Sequence, residues 1–184
     1  MLDKVKEFVK KSFDTCASGK NMAHFEQTVY WAQRLKPNAD EAMLIAAYAH
    51  DIARAFRSTT PEETYQTREL NDPEILEAHQ HDGARIMTEF LTQEGLEQDA
   101  IDRIANMIRK HEVGGDEESD AIKDADSISY LETVAPNHIL RIPSLGKDKV
   151  ERKIRWMFER ISSKKAKQLA EPFFTKALKL LQSS

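Results

Sequence analysis

Apolar residues recur along this chain every three or four positions, the period of a helix with one buried face, and no stretch alternates apolar and polar as a half-buried strand does. The pattern begins at once. Leu2, Val5, Phe8, Val9 and Phe13 form one stripe between lysines, predicting an amphipathic helix over roughly residues 2–15 that packs on a core. The lysines also admit a membrane-surface helix, the weaker reading. A second helix is expected from an Asn21 cap to Leu35, stopping before Pro37 because a residue preceding proline avoids helical geometry. The third, EAMLIAAYAHDIARAF behind an Asp40 or Asn38 cap, is apolar almost all round and so predicts the buried centre of a bundle. Thr60-Pro61-Glu62-Glu63 opens a short helix, and Asp72-Pro73-Glu74 opens a longer one that ends near Gly95. Further helices are predicted over roughly residues 97–111, 119–133, 147–162 and 165–182, with an irregular segment APNHILRIPSLGKD before the last two. The acidic run Asp116, Glu117, Glu118 and Asp120 is expected to be a solvated surface. The fold class is therefore all-α, a compact helical bundle.

Composition narrows the picture. With 184 residues, 40% hydrophobic and 32% charged, one domain spanning 1–184 is expected, large enough for a substantial core. The net charge of -4 argues against a nucleic-acid polymer as partner but leaves room for a small anionic ligand held by a metal. The single cysteine, Cys16, forms no internal disulfide and has no base beside it, so it reads as incidental. No run of about 18 apolar residues exists and the start lacks a secretory pattern, so no membrane partner and a cytoplasmic location are expected.

Candidate chemistry lies in the histidines. His79 shares its helix face with Ile75, Leu76, Gly83, Ile86 and Met87 and points inward, whereas His81, two positions on, points outward. His111 ends the stripe Ile101, Ile104, Met107, Ile108, and His24 lies in line with Thr28, Trp31 and Leu35. His50 and Asp51 sit inside the apolar third helix, where a buried carboxylate requires a compensating charge such as a metal ion. His138 falls in the irregular segment and is set aside. Asp124 and Asp126 cannot both face one site.

The ordered set His24, His50-Asp51, His79, His111 and Asp126 resembles the HD superfamily of metal-dependent phosphohydrolases. Ala49-His50-Asp51-Ile52-Ala53-Arg54, His79-x-x-x-Gly83-Ala84, Arg109-Lys110-His111 before Gly114-Gly115, and Ile122 to Ile128 around Asp126 resemble that family's segments, and the last favours Asp126 over Asp124. The match covers roughly residues 20–135 as a core, with the C-terminal helices 147–182 packing on it and adding nothing specific. The resemblance implies an HD-type bundle. Asp51 would bridge two divalent transition-metal ions (Mn, Fe, Co, Ni or Zn), one held by His24, His50 and Asp126 and the other by His79 and His111. Two ions about 3.5–4 Å apart acidify a shared water and clamp a phosphoryl centre. The absence of Cys among the ligands argues against a structural zinc site. Asp51 and Arg54 are the expected catalytic residues. Arg54 would grip a phosphate oxygen or, as readily, pair with a neighbouring helix; Arg57 is the poorer candidate. Residues 58–72 could cover the site. The expected activity is hydrolysis of a phosphate ester of a nucleotide or other small phosphorylated metabolite. The same six ligands also serve HD-type diiron oxygenases, and a non-catalytic ligand-binding module is a third reading.

Overall fold

The computed structural model describes residues 1–14, 16 and 22–183, and among these every regular element is helical. In chain order they are α1 (Leu2–Asp14), α2 (Met22–Leu35), α3 (Glu41–Ala49), a 3-10 turn (Ile52–Phe56), α4 (Pro61–Tyr65), α5 (Pro73–Gln93), α6 (Gln98–Arg109), α7 (Glu117–Ser129), a π-helical turn (Tyr130–Val134), α8 (Ala135–Leu140), α9 (Ile142–Leu145), α10 (Lys147–Glu159) and α11 (Lys164–Gln182). The expected Asn21 cap lies outside the described residues. No described helix is long and apolar enough to cross a membrane.

The apolar periodicity explains the packing. Val5, Val9 and Phe13 of α1 are buried, and Phe8 stacks on Phe90 of α5 at 4.2 Å between ring centroids. The third helix is central: six of its residues are buried, and its alanines let α1, α2, α6 and α7 approach it. Asp40 starts it, its side chain accepting from Met43 N at 3.1 Å.

Four expectations are corrected. The third helix does not run on to Phe56. Regular α geometry ends at Ala49, Asp51 sits at φ −100° and ψ 14°, and a 3-10 turn follows. In a continuous helix His50 and Asp51 would diverge by about 100°; the break lets both face one site. The stretch expected as a helix over 119–133 leaves α geometry at Ser129 and continues as a π-helical turn. The segment expected to be irregular is helical, forming α8 and α9 and the start of α10. Asp116 is not idle surface: its side chain caps α7 by accepting from Ser119 N at 2.9 Å and pairs with Lys110 at 2.9 Å.

At Gly83, α5 lies against the end of α3. A Cβ added there would lie 3.3 Å from Ile108 Cγ2 and 3.4 Å from the His50 carbonyl oxygen. The missing side chain lets α5 bring His79 against His50–Asp51.

Candidate metal centre

Side chains from five places in the chain meet at the C-terminal end of α3. His24 comes from α2, His50 and Asp51 from the break after α3, His79 from α5, His111 and Glu112 from the turn after α6, and Asp126 from α7; all are buried. The six residues selected from the sequence are thus brought together. Asp124 turns the other way and accepts from the backbone N–H groups of Ser162 and Ser163 at 2.7 and 2.9 Å. His81 is exposed, as expected.

The backbone sets the histidine tautomers. His50 Nδ1 lies 2.9 Å from Ala47 O, His79 Nδ1 3.1 Å from Ile75 O, and His111 Nδ1 2.7 Å from Ile108 O. A carbonyl only accepts, so each Nδ1 carries the proton. His24 Nδ1 lies 2.8 Å from Ser129 Oγ, whose hydroxyl is already donated to His24 O at 2.8 Å, so here too Nδ1 is the donor. In their neutral forms all four imidazoles therefore offer an Nε2 lone pair, and the Nε2 atoms carry the contacts to the facing carboxylates. His24 Nε2 is 3.1 Å and His50 Nε2 3.4 Å from Asp126 Oδ1. His79 Nε2 is 3.3 Å and His111 Nε2 3.7 Å from Asp51 Oδ1.

Two observations show that this arrangement accommodates cations. The Nε2 atoms of His79 and His111 lie 3.1 Å apart, a contact of two lone pairs unless a proton or metal ion sits between them. His50 Nε2 and Asp51 Oδ1 are buried with no hydrogen-bond partner among the described residues. Ligand atoms of Asp51, His79, His111 and Glu112 lie within 4.8 Å of one another, as do those of His24, His50 and Asp51. The two groups share Asp51, and both can hold a metal ion.

Sequence reasoning missed Glu112. Its carboxylate reaches His79 Nε2 at 3.2 Å and His111 Nε2 at 3.6 Å. Helical-stripe logic fails for it because α6 ends at Arg109, so Glu112 belongs to no face. The adjacent pair His111-Glu112 parallels His50-Asp51, and that was the available signal. Arg160 and Lys153 on α10 were missed as well. The buried Arg160 guanidinium bonds the outer oxygens of both Glu112 and Asp126, leaving their inner oxygens toward the histidines. The C-terminal region, expected to add nothing specific, thus joins the two halves of the centre. Arg54 pairs with Asp51 Oδ2 at 2.7 Å, the ion pair coming from its own turn rather than from a neighbouring helix.

Charge governs the electrostatics. Burial opposes ionisation of Asp51, Asp126 and Glu112, yet Arg54 beside the first and Arg160 beside the other two hold all three carboxyls well below their usual range. Burial likewise opposes a charged His50, but the facing Asp126 and Asp51 outweigh it and raise its pKa to about 9. For His111 burial wins and the pKa falls.

Beside the centre lies a cavity of about 290 Å³, lined by Asp51, Glu112 and Asp126 and by residues of α8 to α10. Arg54, Arg57, Arg141 and Lys153 line it. His138, set aside from the sequence, lines it too: it is partly buried, and its Nδ1 is 2.8 Å from the Tyr130 hydroxyl. Desolvation, aided by Lys153 and Arg141, depresses the His138 pKa to about 3, so it is neutral.

Among solved structures, a crystal structure described as a predicted HD superfamily hydrolase, from an uncultured Thermotogales bacterium, superposes with a TM-score of 0.63. The match covers 99% of this chain and 90% of that one at 19% sequence identity. The likeness establishes the fold, which is the HD-type helical bundle expected from the ligand order. No curated protein matches the chain. The family described as "domain of unknown function (DUF4202)" matches residues 5–179, nearly the whole length, and the chain belongs to that family.

Proposed function

We propose that this chain is a metal-dependent phosphohydrolase acting on a small phosphorylated metabolite. The observation that carries the reading is the pair of imidazole–carboxylate groups sharing Asp51, with the Nε2 atoms of His79 and His111 only 3.1 Å apart. His24, His50 and Asp126 would hold one divalent transition-metal ion, and His79, His111 and Glu112 the other, with Asp51 between. When bound, the ions would supply the Lewis acidity that makes water a nucleophile near neutral pH and draws charge from the phosphoryl oxygens.

The chain's own residues do the rest. The backbone carbonyls of Ala47, Ile75 and Ile108 hold three imidazoles in the metal-binding tautomer, and Ser129 holds the fourth. Arg160 keeps Glu112 and Asp126 ionised and fixed. Arg54, at the cavity wall, is placed to bind a phosphoryl oxygen while retaining Asp51. In the overall reaction water gives its hydroxyl to phosphorus, the ester P–O bond breaks, and the leaving alkoxide takes the proton. A cavity lined by four basic side chains suits an anionic ester better than a neutral polyol.

The test is phosphate release from a panel of phosphomonoesters and phosphodiesters by protein loaded in turn with Mn, Fe, Co, Ni and Zn. Metal-dependent release that chelation abolishes supports the assignment. A chain inert with every metal and ester overturns it.

A further inference from the structure

Lys153 is out of place by the rules that govern the rest of the fold. It lies on the buried stripe of α10 with Val150, Ile154 and Met157, and only 5% of it is exposed. A buried ammonium is ordinarily paired, yet among the described residues Lys153 makes neither a hydrogen bond nor an ion pair. Its contacts are aromatic faces: Nζ lies 4.3 Å from the Trp156 ring centroid and 5.7 Å from that of Tyr130. Those rings hold the cation without neutralising it. Burial, with Arg160 and Arg54 nearby, lowers its pKa to about 8 against the upward pull of Glu112 and Asp126, and it stays mostly charged at pH 7.

Its surroundings are the cavity wall. Arg57 also lines that cavity and has no ion pair among the described residues, whereas Arg54 is paired to Asp51 and Arg141 to Glu62. The Tyr130–His138 pair adds a neutral donor. If the tyrosine gives its proton to Nδ1, the imidazole keeps an N–H at Nε2; if Nδ1 gives its proton, the tyrosine keeps its O–H. Either way one donor is left, and no further hydrogen bond of either group is formed among the described residues. With two divalent ions in the centre, positive charge already exceeds that of the three carboxylates. Lys153 and Arg57 enlarge a surplus that one phosphoryl dianion does not balance.

Resting on the phosphohydrolase reading, we propose that the substrate carries two anionic groups: the scissile phosphoryl at the metal centre, and a second carboxylate or phosphate seated on Lys153 and Arg57 with the Tyr130–His138 donor. A cavity of about 290 Å³ sits at the small end of metabolite pockets, so the molecule is compact.

The experiment is calorimetric binding to the full, metal-loaded chain of four probes: inorganic phosphate, ethyl phosphate, 2-phosphoglycolate and ethylene glycol bisphosphate. The wild type is expected to prefer the two-anion probes over ethyl phosphate by about tenfold or more, the scale of one buried charged hydrogen bond. The two such probes decide between carboxylate and phosphate. Lys153→Gln collapses that preference, Arg57→Gln reduces it, and Lys153→Arg restores most of it; circular dichroism and melting temperature verify that each variant is folded. If Lys153→Gln weakens all four probes alike, the lysine serves the scissile group and the inference is overturned. If phosphate binds but the wild type shows no preference, the inference fails and the phosphohydrolase reading stands. If no probe binds, both fail.

Discussion

The metal centre and the Lys153 part of the adjoining cavity are built on different principles. In the centre every buried charge is answered: Asp51 by Arg54, Asp126 and Glu112 by Arg160, and each imidazole by a backbone or serine oxygen. The Nε2 atoms of His79 and His111 meet at 3.1 Å and those of His24 and His50 face Asp126, so each of the two groups offers lone pairs to a cation. Lys153, by contrast, is buried against ring faces and makes no ion pair or hydrogen bond among the described residues, although Glu112 and Asp126 act on it through space. A site made to hold cations is lined by lone pairs with their protons parked outward, and a site made to hold an anion keeps an unspent cation. On the reading proposed above, catalysis and recognition would be divided between these two parts of one cavity of about 290 Å³.

The largest test of the contrast is Asp51→Ala, which removes the carboxylate common to both metal groups. Phosphate release should fall on the order of 10³-fold or more, several kcal/mol of transition-state stabilisation, whereas variants of the wall alter binding preference. Arg160→Met, next in size, leaves two buried carboxylates without their cation. Metal-free protein should lose about 3–5 kcal/mol of stability in urea unfolding, and added Mn or Zn should recover part of it by supplying the missing charge. Glu112→Gln asks whether the residue missed in the sequence ligates. Affinity for one ion per chain should fall about 10–100-fold, with the other unchanged, as read by metal titration.

A smaller effect concerns acid. His138 is neutral in the folded chain with its pKa depressed to about 3, against an ordinary value of 6.5. The unfolded chain binds the extra proton between those values, so the contribution of His138 is complete above pH 6.5 and is lost as pH falls toward 3. His138→Gln should remove on the order of 1–2 kcal/mol of the stability difference between pH 7 and pH 5, read by urea unfolding at the two pH values. The smallest is Gly83→Ala, whose methyl presses on Ile108 by a few tenths of an ångström while Ala favours the helix by about 1 kcal/mol over Gly; the two offset, so melting should show a net stability change within about 1 kcal/mol.

How much of this was legible in the sequence follows the same division. Each metal-binding histidine sits on or beside a helix with a clean apolar stripe, so a period of 3.6 revealed which imidazoles face inward, and Asp51 stood out as a carboxylate among alanines and isoleucines. Glu112 was hidden because it follows a helix end, and a stripe says nothing beyond its last turn. His138 was hidden because the proline and glycine around it suggested an irregular path, whereas Pro136 and Pro143 open short helices. Lys153 could have been found: a lysine between Val150, Ile154 and Met157 breaks an apolar stripe. What no local pattern gives is the docking of α10 across the site, since Arg160 reaches Asp126 over 34 residues of chain and Glu112 over 48.

The central claim is that this cluster is a two-ion centre. Elemental analysis of the full chain, purified without added metal and again after dialysis against Mn, Fe or Zn, addresses it directly. The expected content is close to two transition-metal ions per chain, falling to one or none in Asp51→Ala. A chain that stays free of metal after every dialysis would contradict it.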